Sequence, residues 1–378
     1  MPSLDQVETD TAAVAFGSNR FAVDLYHAVR PSAGNLFFSP LGISTALAMT
    51  SAGAAGATAH QFNEALRFML DGERLHAAFG RLSDQLQRIA GAPVRIAGAL
   101  WRQAPRRDSG PAGRPLQPQF VGLLQTCYRS AIEDVNFADD ARRRINRWVS
   151  DRTEGRISEL LGELDPEARF ILTNAVYFKA TWASPFSPSL TRPGRFEGVE
   201  APMMSQRLTA PCWEDERLQA LELAYQEGDL GLVVLLPRPD VRFESFERGL
   251  THKAIGAWLD ALEPREVELT MPRFQVQSRY ELSRSLVGLG LADAFDRGQA
   301  DFSEIDGTRE LFLSQVCHQT WVEVDEQGTE AAAATGVEAA AACVMPEAMV
   351  FRADRPFVFL IRDRASGAIL FLGRLVSP

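Results

Sequence analysis

Lysine is nearly missing from this chain. Of 378 residues only Lys179 and Lys253 are lysines, and arginine supplies the other 37 of 39 positive charges. That bias carries no chemical message, but the sign of the total does. A formal charge of −10 argues against general binding to nucleic acid or to an anionic membrane. Cysteine is also sparse: Cys127, Cys212, Cys317 and Cys343 stand far apart, with no CxxC pair and no metal-ligand spacing. Free thiols are expected, not a disulfide framework or a metal site. The five histidines (His27, His60, His76, His252 and His318) form neither HxxxH nor HExxH, which disfavours a zinc hydrolase. A phosphate loop of the GxxxxGK type, a GxGxxG turn after a strand and a GxSxG elbow are all missing, so the chain is not expected to be an enzyme. No window approaches the ~18–20 apolar residues of a membrane span. The opening "MPSLDQVETDTAAVAF" lacks a basic region and an apolar core, so no signal peptide is expected and a cytoplasmic location is favoured, with an extracellular one as the alternative if a leader has been removed.

What is present reads as an ordinary globular core, 46% hydrophobic and 23% charged. Residues 12–30 carry Ala15, Phe16, Phe21, Leu25 and Ala28 at helical spacings, and Pro31 ends the pattern. A buried helix and a small-residue turn are expected across 43–66, and another helix across 73–90 with Leu75, Phe79, Leu82 and Leu86 as its stripe. A further helix at 141–162 is broken at "TEG" and then restarts. Later the texture changes. "RFILTNAVYFKATW" (169–182), "LGLVVLLP" (230–237), "EVELTMPRFQVQ" (266–277) and "FVFLIRDRASGAILFLGRLV" (357–376) are strands, the last a hairpin around "RASGA". Helices gather early and strands late without a linker between them, which predicts a single α+β unit over 1–378. Residues 102–115 form a polar loop rich in proline and glycine. Asp139 and Asp140 suit a helix start. Arg74, Arg81 and Arg88 share a helix face, read as solvated because Glu73 and Asp84 are interspersed.

One stretch fits neither pattern. "DEQGTEAAAATGVEAAAACVMP" (325–346) is small and acidic, with glycines at 328 and 336. Alanine favours helix over strand, so a short surface helix is the plain reading. At the strand period of two, however, one face carries Thr329, Ala331, Ala333, Thr335, Val337 and Ala339, all small and uncharged. Glu330 and Glu338 fall on the other face. A strand entering a packed sheet needs an inner face of that kind, free of bulk and charge. The segment suits a change of conformation.

Several stretches together resemble the serpin family of protease inhibitors, in the family's order and from end to end. They are "NLFFSPLGISTALAM" (35–49), "INRWVSDRTEGRISELL" (145–161), "FILTNAVYFKATWASPF" (170–186), "APMMSQ" (201–206), "DRPFVFLIRD", "FLGRLVSP" and "EQGTEAAAATG" (326–336). The resemblance implies three β-sheets, about eight or nine helices and an exposed reactive-centre loop at about 326–350. A target serine protease cleaves that loop, is held as an acyl ester, and is trapped when the loop inserts into the main sheet.

The loop hinge implied is Glu326, Gly328, Thr329, Glu330, Ala331, Ala332, Ala333, Ala334 and Thr335, with Thr329 exposed until insertion. Ser39, Asn174 and His318 match a shutter beneath the sheet, where Gly42 departs from the family's usual serine. Trp182, Arg273 and Glu326 match the breach at the loop's entry. The family's usual spacing from Gly328 implies a scissile bond at Ala342–Cys343, with Cys343–Val344 second and Met345–Pro346 disfavoured by its proline. No lysine or arginine lies between Asp325 and Phe351, so an elastase-, chymotrypsin- or subtilisin-like target is expected over a trypsin-like one. No cofactor, metal, nucleic acid or membrane partner is implied, and a monomer is expected. A non-inhibitory member, serving as chaperone, carrier or storage protein, is the alternative. Such members tend to carry bulk or charge in the hinge, and Thr329–Thr335 has neither on its inward face.

Overall fold

The computed structural model describes residues 4–30, 33–89, 94–104, 115–130, 132–226, 229–329 and 348–378. Strand Phe170–Phe178 organises the molecule. All nine of its residues are buried, as an unbroken apolar run covered on both faces requires. It pairs antiparallel with Val94–Gln103 and parallel with Leu313–Val324. Ile132–Val135 and Phe274–Glu281 are the outer strands of this sheet. The pairing of Phe170–Phe178 with Leu313–Val324 runs from Phe170–Leu313 to Tyr177–Trp321. The main sheet is therefore closed along its centre.

Helix Ala141–Arg152 lies over one face, where Ile145 and Val149 pack with Trp101, Ala175 and Cys317. Against expectation this helix does not restart after "TEG"; residues 156–162 carry no helix, although Ile157, Leu160 and Leu161 are buried beside it. Asn146 replaces the missing turn: its Oδ1 accepts from the Leu160 and Leu161 N–H groups at 3.0 and 2.7 Å. The opposite face rests on helix Pro40–Ser51, with Pro40 at its first position and the Ser39 hydroxyl accepting from the Gly42 N–H. Helix Leu4–Val29 packs outside it, ending just before the proline that the pattern anticipated.

Nine further strands form a second hydrogen-bonded set. It divides where the long strand Val199–Glu214 leaves Glu263–Pro272 and pairs with Leu218–Ala224 only through Cys212–Glu214. The two leaves and the main sheet make the three expected layers. The hairpin Phe357–Asp363 and Ile369–Leu375 turns at Gly367, whose φ of 72° suits glycine. Phe37 stacks between its Phe359 and Phe371. Ten α-helical segments occur among the described residues, four of them six residues or shorter.

Candidate functional site: the hinge and the polar cluster beneath the sheet

Past Val324 the chain reverses in a tight turn. Asp325 directs it: its carboxylate accepts from the Gln327 and Gly328 N–H groups at 2.8 and 3.2 Å, and its own N–H donates to Gly328 O at 3.0 Å. Gly328–Thr329 then forms a two-residue strand wedged between Val324 and Ala180–Thr181. Gly328 is obligatory there. Its φ is 155°, and a Cβ would stand 2.1 Å from Ala180 O and 2.8 Å from Thr181 Cα.

Thr329 is fully buried, and its hydroxyl lies 2.7 Å from that of Tyr225. This corrects the expectation that Thr329 is exposed before insertion: the first inward residue of the hinge already occupies the sheet. Only the two ends of the expected loop, about 326–350, fall among the described residues. Glu326 is buried, and Met349–Arg352 pairs in parallel with Glu263–Pro272. Glu330, Ala331, Ala332, Ala333, Ala334, Thr335, Ala342 and Cys343 lie outside the described residues.

The three breach candidates meet at this turn. The Trp182 indole is buried, donates to Asp325 O at 2.9 Å and stacks on Tyr225 with centroids 4.5 Å apart. Its backbone N–H donates to Gln327 O at 2.9 Å. Arg273 reaches Glu326 Oε1 through Nε at 2.7 Å and Nη2 at 2.5 Å, and the Thr191 hydroxyl donates to the same oxygen. Burial alone would raise the Glu326 carboxyl; the hydrogen bonds from Arg273 and Thr191 outweigh it and hold the group below its usual value. Tyr225 and Thr191 escaped the sequence reading because no local pattern marks them; only the fold brings them to residues 326–329.

A pH dependence follows. A depressed carboxyl contributes stability that is full above its unfolded value of 4.5 and is lost as pH falls through the folded value. Acidification below 4.5 is expected to loosen the turn and alter Trp182 fluorescence. Glu326→Gln should weaken the turn by about 1 kcal/mol, since Arg273 is half exposed, and should flatten that acid transition. An unchanged acid titration in Glu326→Gln would assign the transition to other groups.

Ser39, Asn174 and His318 also converge, on the central strands. His318, fully buried, accepts from the Ser39 N–H through Nε2 at 3.0 Å, so its proton sits on Nδ1, which donates to Asn174 Oδ1 at 2.8 Å. Ser39 Oγ donates to Leu370 O at 2.7 Å and accepts from Gly42 N at 3.1 Å. Burial pushes the His318 pKa down to about 3, keeping the ring neutral. Asn174 and His318 are paired in register across the central strands, so this hydrogen bond ties them together. Gly42 fits tightly: a Cβ would lie 2.8 Å from Val176 Cγ2 and 2.9 Å from Ser39 Oγ, so a serine there would need its neighbours to shift.

Of the three-arginine face, Arg74 and Arg81 approach buried Asp10 at 2.6 and 3.7 Å, giving those charges a structural partner.

The family profile described as "Serpin (serine protease inhibitor)" matches residues 17–378. The chain is a serpin. It is 38% identical over 384 residues to the leukocyte elastase inhibitor of Bos taurus, covering 96% of this chain and 98% of that one. An uncharacterized serpin-like protein of Thermococcus kodakarensis is 37% identical over 371 residues, 95% of this chain and 84% of that one. Among solved structures, the native state of the thermophilic serpin tengpin superposes with a TM-score of 0.87 at 25% identity, covering 96% and 94% of the two chains. Human thyroxine-binding globulin gives 0.86 at 29% identity, covering 99% of each. This serpin is therefore similar both to a relative named as an elastase inhibitor and to a solved structure named for binding thyroxine.

Proposed function

We propose that this serpin inhibits serine proteases by suicide trapping and has no catalytic activity of its own. The single observation behind this reading is the hinge: Gly328–Thr329 has entered the top of a main sheet that is otherwise closed from Phe170 to Tyr177. The small, uncharged inner face that continues through Ala331, Ala333 and Thr335 can follow it inward. The kinship with a leukocyte elastase inhibitor supports the same reading. The fold it shares with thyroxine-binding globulin keeps a binding or carrier role as the second reading.

In the proposed reaction the protease serine Oγ attacks the Ala342 carbonyl carbon. The Ala342–Cys343 bond breaks, and the serine proton passes through the protease's own base to the leaving amine of Cys343. The product is an ester, and insertion must outrun its hydrolysis. In this reading Trp182, Arg273 and Glu326 guard the entry of the loop, and Ser39, Asn174 and His318 govern the parting of the strands. Alanine at 342, after Ala340 and Ala341, suits the shallow apolar pocket of an elastase-like enzyme. A monomer acting in the cytoplasm on such a protease, without cofactor or metal, completes the proposal.

Mixing the serpin with an elastase-like protease should yield a complex that survives SDS and boiling. Its released peptide should begin at Cys343, or at Val344 if the attack falls one bond later. A shortened chain with free, active protease for every enzyme tried would replace inhibition by the carrier reading.

A further inference from the structure

The short strand Met349–Arg352 presents an apolar side chain to water just past the reactive segment. Met349 and Phe351 are buried, so at a period of two Val350 and Arg352 project outward from the sheet. Val350 is 62% exposed, a value that only Val199 equals among the large apolar side chains of the described residues. Its backbone is held in place. The strand pairs in parallel with Glu263–Pro272, and the buried Gln219 side chain donates to Val350 O at 3.0 Å. Val199 belongs to the adjoining hairpin, whose Glu197 N–H donates to Asp354 O at 2.9 Å. Both of these exposed valines therefore rim the same end of the molecule.

The charges beside Val350 do not balance. Glu268 is its partner in register, and Arg207 is the partner of Glu268 on the next strand. Arg207 gives its short contact, 2.8 Å, to Glu266 and lies 3.7 Å from Glu268, which is 57% exposed. One guanidinium thus serves two carboxylates. Arg352 does not neutralise the remainder, because its Nε donates to Asp354 at 2.7 Å.

The position of this face matters more than its size. Val350 follows Cys343 by seven residues. Seven residues reach at most roughly 25 Å. A protease domain of roughly 200 residues has a radius of gyration near 16 Å and a width of about 40 Å. An enzyme seated on the Ala342–Cys343 bond is wider than that reach, so its leaving-group side overhangs Val350 and Glu268.

We infer that the outward face of Glu263–Pro272 and Met349–Arg352, centred on Val350 and Glu268, is a second docking surface for the target protease. It selects enzymes that carry a basic group beside an apolar contact on the leaving-group side of the cleft. The inference rests on the trapping reading and adds to it a source of target choice outside the loop. An exposed carboxylate of this kind acts mainly on the rate of encounter, in the same direction as the net charge of −10.

The test uses the full chain and two elastase-like proteases of the same cleft preference, one with a basic surface and one with an acidic surface. The observable is the second-order rate of SDS-stable complex formation. Glu268→Arg should slow association with the basic enzyme about tenfold at low ionic strength, a gap that closes as salt is raised, and should speed association with the acidic one. Val350→Ser should slow the basic enzyme roughly threefold at every salt concentration, as the loss of a partly buried apolar contact requires. Both side chains face water, so neither the unfolding temperature nor the fraction of chain cleaved without trapping should move. A wild-type rate for either variant would overturn the surface and leave trapping in place. More cleaved, untrapped chain at an unchanged rate would assign the residues to insertion instead, and overturn it equally. If the parent chain traps neither enzyme, the trapping reading fails and this inference with it.

Discussion

A single cut between residues 335 and 346 should raise the unfolding temperature by roughly 15 °C or more, the scale that 5–10 kcal/mol of added stability produces. The closed sheet explains the size. Phe170–Phe178 and Leu313–Val324 are hydrogen-bonded directly to each other, and Thr329 pairs with Val324 at the end of the second. Once the loop is cut, the hinge side is no longer tethered at both ends and can continue inward as a full strand. On the proposed mechanism it would then gain a hydrogen-bonded neighbour on each side and bury Ala331, Ala333 and Thr335. The intact form is held back by the barrier to opening the sheet, not by its depth in free energy. Calorimetric scans before and after limited proteolysis test this directly. A midpoint that stays in place or falls would show that the segment does not insert.

Thr329→Arg should abolish stable complex formation and leave a substrate that the protease cleaves and releases. The structure changes the grounds for this expectation. From the sequence, an exposed Thr329 would tolerate arginine until insertion. In the fold, Thr329 has no exposure and is bonded to the Tyr225 hydroxyl beside the Trp182 ring. A guanidinium cannot be buried there without a cost of several kcal/mol, so the hinge is expelled in the uncut protein as well. Trp182 fluorescence should shift in the uncut variant, and Thr329→Val, which loses only the hydroxyl bond, should retain trapping with a weaker hinge. Wild-type trapping by Thr329→Arg would mean that this pairing is not the start of insertion.

Alternation and run length are local properties, so the sequence by itself determined the strand Phe170–Phe178, the C-terminal hairpin, the helices that start near Pro40 and Gly72, and the small-residue face of the hinge. A buried strand needs an apolar run, and a turn needs its glycine, wherever the rest of the chain goes. The resemblance to the serpin family, not any local pattern, singled out Ser39, Asn174, His318, Trp182, Arg273 and Glu326. Their contacts were another matter. Only the tertiary structure decided that His318 links Ser39 to Asn174, that Thr191 and Arg273 share one Glu326 oxygen, and that Tyr225 closes over Thr329. Those partners come from strands far apart in the chain, and no spacing rule connects them. The missing helical turn after "TEG" has the same origin: Asn146 satisfies the backbone of Leu160 and Leu161, removing the reason to coil. That Gly328–Thr329 pairs with Val324 and Ala180–Thr181 is likewise beyond any local pattern, because only the assembled sheet supplies those edges.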